Sequence, residues 1–231
     1  MYKQKRILFA GMSSNAPLLS LFSRDNITEV VSSVSFIESI SQRFFPDLIV
    51  LDSLPSPEIK DVRGTERLLG VPVLVSVLSL EQENNLNSIT MIPRVILCNS
   101  CVATHEDFVR HILLVAEKKI PVLPCRTGAI VKYAILYMNK NIGRRLTRES
   151  IAGQLGVAGD YLSRIFKQEM GLTLWDYLTT LRLERARTML LQTGERVGAV
   201  AESCGFDDAS YFNRVFKKHY GLTPSALRLK N

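Results

Sequence analysis

The sequence predicts two regions of different fold class, an α/β region over residues 1–120 and an all-α region over residues 128–231. In the first region, short β-branched runs alternate with amphipathic segments, a pattern typical of strands and helices that follow one another along the chain. In the second region, apolar residues recur with the 3.6-residue period of a helix. Between the two, Pro121 and Pro124 interrupt helical structure and stiffen the backbone, so we expect a linker at residues 121–127.

Five short apolar runs are the expected strands of the α/β region. They are Arg6–Ala10, Glu29–Val34, Asp47–Asp52, Pro72–Val77 and Arg94–Cys98. The expected helices are Ala16–Arg24, Phe36–Phe44, a segment that ends with Glu66–Leu69, Gln82–Met91 and Glu106–Lys118. Runs such as Leu48–Leu51 are apolar at every position, as in parallel strands that are buried on both faces. Five strand–helix units in about 120 residues predict a doubly wound, flavodoxin-like sheet of five parallel strands.

Charge is distributed unevenly between the two regions. The whole chain has a formal net charge of +7, and its 46% of apolar residues excludes a disordered protein. Residues 1–126 contain 13 basic and 13 acidic residues, whereas residues 127–231 contain 16 basic and 9 acidic ones. The positive excess therefore lies entirely in the second region, as expected of a neutral module joined to one that binds a polyanion.

The cysteines and the apolar runs indicate the cellular compartment. The four cysteines are Cys98, Cys101, Cys125 and Cys204. They are too few for a disulfide framework, and no run approaches the roughly 18 apolar residues of a spanning helix. The apolar run near the N-terminus is too short for a signal peptide, so we expect a cytoplasmic protein with no membrane partner. Cys98 and Cys101 have redox or metal spacing without a second ligand pair, so we predict ordinary apolar thiols, no metal and no cofactor.

An enzymatic function is not predicted. The sequence has no phosphate-binding glycine loop and no H-E-x-x-H zinc pattern. Asp52 resembles a catalytic residue, but the sequence supplies no partner groups for it. The three histidines, His105, His111 and His219, have no ligand spacing, and we predict them as surface or helix-cap residues. Trp175 is predicted as a core residue.

A sequence repeat occupies the all-α region. Residues 161–173 and residues 211–223 are identical at 7 of 13 positions, and residues 151–157 match residues 200–206 one helix upstream. Each copy consists of a helix, a glycine, an apolar residue and a second helix, which predicts a helix-turn-helix unit. The expected helices are Arg148–Leu155 and Gly159–Met170 in the first copy, and Val197–Cys204 and Asp208–Tyr220 in the second.

The ends of these helices carry the residues that such ends favour. Thr147 and Asp208 are suitable N-caps, and Gly156 and Gly205 allow the positive φ of a sharp turn. A further helix over Leu174–Leu191 connects the two copies and spans about 27 Å at roughly 1.5 Å per residue. That length could place two recognition helices about one turn of DNA apart, roughly 34 Å.

The second helix of each copy has an apolar and a polar face. The apolar residues are predicted to lie in the core: Leu162, Ile165, Phe166, Phe212, Val215 and Phe216. The polar face carries Gly159, Asp160, Ser163, Arg164 and Lys167 in the first copy, and Ala209, Ser210, Asn213, Arg214, Lys217 and Lys218 in the second. Small residues let the backbone approach the major groove, Arg, Asn and Ser can reach base edges, and the lysines are placed for phosphates. Because this face recurs in register, we predict double-stranded DNA as the partner.

The block from Gly128 to Arg228 resembles the DNA-binding domain of AraC/XylS-type bacterial regulators. The similarity lies in the segments YLSRIFKQEMGLT, YLTTLRLERARTMLL, VAESCGFDDASYFNRVFKKHYGLTP and TPSALR. It implies a seven-helix domain with two recognition helices in successive major grooves, and a transcription regulator with RNA polymerase as a further partner. The implied base contacts are Asp160, Ser163, Arg164, Ser210, Asn213 and Arg214. Ala158 replaces the family's capping serine and Leu174 its proline, so we expect the first unit to read DNA less rigidly.

Residues 46–55 resemble the strand of response-regulator receiver domains that ends in the phospho-accepting aspartate. Asp52 takes that place, at the strand end where doubly wound folds bind ligands. One interpretation is therefore a genuine two-component regulator that is phosphorylated on Asp52. A second is a regulator that senses a small ligand through this region.

The residues that accompany the phospho-acceptor in that family are replaced here. Gly11 and Met12 occupy the positions of the two acidic residues that bind Mg²⁺ in that family. Val77 occupies the position of the hydroxyl-bearing residue, or Ser76 does if the register shifts. Asn99 occupies the position of the lysine. Phosphoryl transfer needs cations to neutralise developing charge. We therefore predict a degenerate receiver that works without phosphorylation, either in assembly as a homodimer or in sensing something other than phosphate.

Overall fold

The α/β region contains a five-stranded sheet. The computed structural model describes residues 4–11, 17–52, 70–77, 92–118 and 120–229. The strands are β1 (Arg6–Gly11), β2 (Ile27–Val31), β3 (Leu48–Asp52), β4 (Val73–Val77) and β5 (Val95–Asn99). Neighbouring strands are all parallel, in the order β2-β1-β3-β4-β5. This is the flavodoxin-like order, so the predicted fold class is confirmed.

The central strands are buried along their whole length. Every residue of β3, β4 and β5 is buried, which explains why these segments are apolar at nearly every position. The helices described in this region are α1 (Pro17–Ser23), α2 (Ile37–Phe44), α3 (Ser100–Ala103) and α4 (Glu106–Ala116). The expected helices that end at Leu69 and that cover Gln82–Met91 lie outside the described residues.

The second strand lies earlier in the chain than predicted. We expect Glu29–Val34 from the sequence, whereas β2 begins at Ile27, opposite the first residue of β1. Val34–Phe36 instead forms a turn of 3₁₀-helix. The Oγ atoms of Ser33 and Ser35 are 3.0 Å apart, and the backbone N–H of Ser35 donates to Ser33 Oγ. Such local serine bonds compete with strand pairing, and β-branched composition alone does not reveal them.

Seven helices fill residues 120–229, all of which the structure describes. They are α5 (Cys125–Lys140), α6 (Arg148–Gln154), α7 (Gly159–Met170), α8 (Leu174–Gln192), α9 (Val197–Ser203), α10 (Ala209–Tyr220) and α11 (Pro224–Leu229). The helix ends predicted from the repeat lie within one residue of those observed. We call α6 and α7 unit one and α9 and α10 unit two, and α8 connects them.

Caps and turn glycines explain where the units bend. The Oγ1 atom of Thr147 accepts from the backbone N–H of Ser150, whose Oγ accepts in return from the N–H of Thr147, so α6 starts with a capping box. Gly156 and Gly205 have φ of 66° and 81°, in the left-handed region that favours glycine. A Cβ at Gly205 would lie 2.7 Å from the carbonyl oxygen of Ile142, so the second turn admits only glycine.

The hydrophobic core continues across the boundary expected between the regions. Helix α5 begins at Cys125, inside the expected linker of residues 121–127. It packs on β5, while α8 packs on α3 and α7 contacts α4. One cluster of buried residues extends from Ile7 in β1 to Leu181 in α8. A second begins at Leu183 and continues through unit two, so unit one shares the core of the α/β region and unit two has its own.

Candidate nucleic-acid interface

The polar faces of α7 and α10 are open to solvent. On α10 the candidate residues are all exposed: Ala209, Ser210, Asn213, Arg214, Lys217 and Lys218. On α7, Asp160, Arg164 and Lys167 are exposed, and Gly159 and Ser163 are half-buried. The opposite faces are buried as predicted, with Phe166, Phe212 and Phe216 inaccessible to solvent. Both polar faces are thus available to a partner, and that of α10 is the more open.

Each of these helices carries an arginine that lies over a tyrosine one turn earlier. The Cζ atom of Arg164 is 5.5 Å from the ring centroid of Tyr161, and that of Arg214 is 5.4 Å from the ring centroid of Tyr211. A guanidinium is attracted to an aromatic face, which restricts the arginine before any partner binds. Sequence reasoning missed the tyrosines, although both recur in the repeat three residues before the arginine.

The first turn of α7 is held by an ion pair instead of a side-chain cap. Ala158 occupies the N-cap position and makes no capping hydrogen bond. The Nη1 atom of Arg148 in α6 lies 2.6 Å from Oδ1 of Asp160, and its Nε lies 2.9 Å from Glu149 Oε1. A Cβ at Gly159 would be 3.0 Å from Nε of Arg148. Asp160, predicted to contact bases, is therefore paired with Arg148, and Gly159 leaves room for that arginine.

The first turn of α10 has the cap that α7 lacks. The Oδ1 atom of Asp208 accepts from the backbone N–H groups of Ser210 and Tyr211, at 2.6 and 3.0 Å. The predicted N-cap is therefore confirmed. Lys217 and Lys218 lie in the last turn, where the helix dipole favours positive charge.

An open cavity of about 690 Å³ lies between the two units. Its lining includes four basic residues: Arg145, Arg148, Lys167 and Arg182. The Nε atom of Arg145 is 3.6 Å from Oδ2 of Asp207, and both side chains are exposed. Sequence reasoning missed Arg145 and Arg148 because they precede the repeated segments and have no counterpart in register.

Arg182 of α8 joins unit two to the segment before unit one. Its Nε donates to the carbonyl of Ile142 at 3.1 Å, and its Nη2 donates to the carbonyl of Arg144 at 2.8 Å. A Cβ at Gly205 would lie 2.7 Å from the same Nη2, so the turn of unit two rests against this guanidinium. The guanidinium of Arg182 therefore links the turn of unit two to the segment that precedes unit one.

Two sequence-based assignments of single residues are wrong. Trp175, predicted in the core, is 42% exposed and lines the cavity between the units, because the second position of α8 points away from its buried face. His111, predicted as a surface or cap residue, is only 9% exposed, because α4 packs against α7 at this point. Both errors concern which neighbour a helix meets, and the helical period does not contain that information.

Asp52 lies at the carboxyl end of β3 and is 7% exposed. The hydroxyl of Ser76, its register partner on β4, donates to Oδ1 of Asp52 at 2.7 Å, so Ser76 and not Val77 supplies the neighbouring hydroxyl. Gly11 ends β1 opposite Asp52. A Cβ there would lie 2.9 Å from Phe9 Cε1 and 3.2 Å from the Asp52 carbonyl oxygen, so a carboxylate does not fit at this position.

Asn99 ends β5 at the same edge of the sheet. Its backbone N–H donates to Oη of Tyr177 in α8 at 3.0 Å. Its side-chain Oδ1 accepts from the N–H of Cys101 at 3.2 Å and caps α3. The residue in place of the receiver lysine is therefore uncharged, and it connects the sheet to the all-α region.

Of the cysteine pair, Cys98 is buried and Cys101 is half-buried. Burial raises the pKa of Cys98 well above its usual value and that of Cys101 to about 12, so both are protonated at neutral pH. In the described part of the chain, no group of three or more His, Cys, Asp or Glu side chains could hold a metal ion. No helix among the described residues has the length and apolar character needed to cross a membrane.

This chain is similar to known proteins in its all-α region. Residues 151–230 match a family model described as a helix-turn-helix domain. The chain is 38% identical over 91 residues to the HTH-type transcriptional regulator ArgR of Pseudomonas aeruginosa, covering 39% of this chain and 28% of ArgR. The solved C-terminal domain of AraT, a response regulator from Geobacillus stearothermophilus, is 39% identical. The match covers 44% of this chain and 85% of the AraT domain, with a TM-score of 0.43. A transcriptional regulator with an AraC-type DNA-binding domain from Chromobacterium violaceum is 31% identical, with coverage of 46% and 96% and a TM-score of 0.42.

Two helix-turn-helix units joined by one long helix define the class of the C-terminal region as a tandem helix-turn-helix domain. That region belongs to the AraC-type family of DNA-binding domains. The chain spans 28% to 36% of the length of the first curated relatives that it matches.

Proposed function

We propose that this protein is a sequence-specific regulator of transcription, in which α7 and α10 enter successive major grooves and RNA polymerase is a further partner. The repeated polar face carries this proposal, because it offers an arginine ordered by a tyrosine at the same position of both helices. Arg164 and Arg214 are suited to bidentate contacts with guanine in the major groove. Lys167, Lys217 and Lys218 lie further along the helices and are suited to phosphates.

The smaller residues complete the proposed contact surface. Ser163, Ser210 and Asn213 can reach base edges, and Ala209 permits close approach of the α10 backbone. At Gly159 the space of a side chain is taken by Arg148, so close approach there requires that arginine to move. Asp160 can reach a base only if its ion pair with Arg148 rearranges. This requirement concerns the first turn of α7 alone, and it is there that we expect unit one to read DNA less rigidly than unit two.

The distance between the units supports simultaneous binding. Helix α8 has 19 residues and therefore spans about 28 Å, close to the roughly 34 Å of one DNA turn. The open cavity between the units presents Arg145, Arg148 and Lys167. These cations suit the phosphate backbone that separates two successive major grooves.

The test is binding of the full chain to a fluorescent random-sequence duplex at increasing salt. Each phosphate contact contributes about −0.9 to the log–log slope, so six contacts would reduce affinity about 10³-fold between roughly 50 and 200 mM salt. Lys217→Ala should reduce the slope by about one unit. Arg110→Ala, on the exposed face of α4, is the matched control and should leave the slope unchanged. Binding that is absent at low salt, or insensitive to salt, would refute the proposal.

We further propose that the α/β region works without phosphorylation of Asp52. Attack of a carboxylate on an anionic phosphoryl donor needs a cation between the two groups. Position 11 has no room for a second carboxylate, and Asn99 supplies no charge. Because Asp52 ends β3 and accepts a hydrogen bond from the hydroxyl of Ser76, phosphorylation of Asp52 is the second candidate mechanism.

Intact-mass measurement after incubation with Mg²⁺ and acetyl phosphate distinguishes these mechanisms. We expect no added phosphoryl group in the wild-type protein. A phosphoryl group that appears in wild type, is absent in Asp52→Ala and changes DNA affinity would establish the two-component mechanism instead.

We also propose that residues 1–120 and 128–231 have separate roles, although unit one shares the core of the α/β region, and that residues 1–120 mediate a homodimer. Exposed apolar side chains lie on or beside the edge strand β2 and helix α2: Ile27, Val30, Phe36 and Phe45. A two-fold axis would let this surface cover its own copy. Sedimentation at tens of micromolar, roughly the range of weak association, should show a dimer that Phe45→Asp dissociates. A wild-type monomer under these conditions would exclude the homodimer.

A further inference from the structure

We infer that the α/β region positions α7, and with it the half of the DNA site that unit one reads, while unit two positions α10 by itself. The inference rests on the proposed function and adds specificity-determining residues outside both helix-turn-helix units. The contacts of His111, Lys132 and Tyr177 carry it. Each connects the α/β region to α7 directly or through one intervening side chain.

His111 packs against the C-terminal end of α7. Gly171 is the left-handed C-cap of α7, with φ of 69°, and a Cβ there would lie 2.5 Å from Cβ of His111. Burial lowers the pKa of His111, and hydrogen bonds with the backbone of Glu169 and Gln168 offset this only in part. A neutral imidazole on α4 therefore lies in close contact with the end of α7 and fixes its position.

A buried lysine joins the sheet to α7 from a second side. Lys132 of α5 is 2% exposed, and its Nζ donates to the carbonyl of Ile92, before β5, at 2.8 Å. Glu169 of α7 is 4% exposed; burial raises its pKa to about 7, and the charge of Lys132 opposes that rise. Helices α5 and α7 pack against each other, so a displacement of α7 would change the surroundings of both buried side chains.

Tyr177 connects the end of β5 to the core face of α7. The side chain is completely buried, and its Oη accepts from the backbone N–H of Asn99 at 3.0 Å. Its ring meets that of Phe166 in α7 edge to face, with centroids 5.5 Å apart. A displacement at the carboxyl end of β5 is therefore transmitted through one ring to the inner face of α7.

The equivalent positions of unit two have different surroundings. Gly221 corresponds to Gly171 in the repeat and has φ of 74°, but a Cβ there would meet no atom of the described chain within 4 Å. Tyr220 bonds to the connecting helix, where its Oη donates to Oε2 of Glu184 in α8 at 2.7 Å. The last turn of α10 does interact electrostatically with the α/β region. The pKa of His219 in that turn is lowered mainly by burial and then by the charge of His105. That influence involves charge and no close packing of the kind seen at Gly171.

The experiment compares the selectivity of full-length variants for each half of the DNA site. Wild-type protein first selects a duplex from a random-sequence pool, and two derivatives then have one half-site scrambled each. Arg164→Ala identifies the half-site read by α7, because it should lose discrimination there. The selectivity of a half-site is the ratio of affinities for the selected and the scrambled duplex, measured by fluorescence anisotropy.

Tyr177→Phe removes one hydroxyl and keeps the ring. We expect it to reduce selectivity at the α7 half-site about fivefold, the typical effect of one hydrogen bond, and to leave the α10 half-site within about twofold. His111→Ala should act in the same direction. Tyr220→Phe is the matched control, because it removes the same atom from unit two and should leave the α7 half-site unchanged.

The thermal unfolding midpoint of each variant establishes whether it is folded. If Tyr177→Phe does not fold, His111→Ala is compared with the wild type instead. Equal loss of selectivity at both half-sites, or no loss at the α7 half-site, would overturn the inference. A wild-type protein that selects no sequence would refute the proposed function itself, which is a distinguishable outcome.

Discussion

Unit one and unit two have the same sequence pattern and different surroundings. Both place an arginine over a tyrosine on an exposed helix face. The core of unit one continues into the sheet as far as Ile7, whereas the core of unit two begins at Leu183 and is separate. The difference teaches that the repeat determines which face of each helix is polar, while the neighbours determine how firmly each helix is held.

The same contrast is visible where the two helices begin. Helix α10 is capped by its own Asp208, through two backbone hydrogen bonds. Helix α7 starts at the uncapped Ala158 and depends on Arg148 of the preceding helix, which pairs with Asp160. Unit two is therefore stabilised locally, and unit one depends on residues beyond its own recognition helix.

The largest expected effect comes from removing a phenylalanine from either core. Phe166→Ala and Phe216→Ala should each cost about 3–5 kcal/mol of unfolding free energy, since both side chains are completely buried. Hydrogen exchange should then separate the two cores. Phe216→Ala should reduce protection only in α9–α11 and the second half of α8. Phe166→Ala should reduce it in α7 and in the sheet. Loss of protection in β3–β5 on Phe216→Ala would show that the two cores are one cooperative unit.

A smaller effect on stability is expected from removing the N-cap of α10 or adding one to α7. Asp208→Ala should destabilise the protein by about 1 kcal/mol, the usual value of an N-cap. Ala158→Ser should stabilise it by up to about 1 kcal/mol, because Ala158 already has the extended backbone of a capping residue, with φ of −73° and ψ of 144°. Urea unfolding midpoints measure both changes. If Ala158→Ser leaves the midpoint unchanged, the stability of the protein does not depend on a side-chain cap at the start of α7.

The sequence predicted those features that depend on local pattern. The sheet followed from runs such as Leu48–Leu51, which are apolar at every position because both faces are covered. The helix ends of the two units followed from caps and glycines such as Thr147 and Gly205. The end of β2 was misplaced, because hydrogen bonds between Ser33 and Ser35 end the strand at Val31.

Features that depend on contacts between distant elements could not be predicted. The pair of Arg148 with Asp160 joins two helices across a turn, and nothing in the repeat indicates it. The burial of His111 and the exposure of Trp175 depend on which helices pack against α4 and α8. The bond between Asn99 and Tyr177 links residues 78 positions apart in the chain, a separation at which no spacing rule applies.

The central claim is that α7 and α10 each read one half of a bipartite DNA site. Selection from a random-sequence duplex pool by the wild-type protein, Arg164→Ala and Arg214→Ala tests it most directly. The wild type should select two half-sites whose centres lie about 10–10.5 base pairs apart. Each arginine variant should lose preference at a different half-site, at a cost of roughly 1–3 kcal/mol for a bidentate base contact. A single undivided motif, or loss of preference at the same positions in both variants, would contradict the claim.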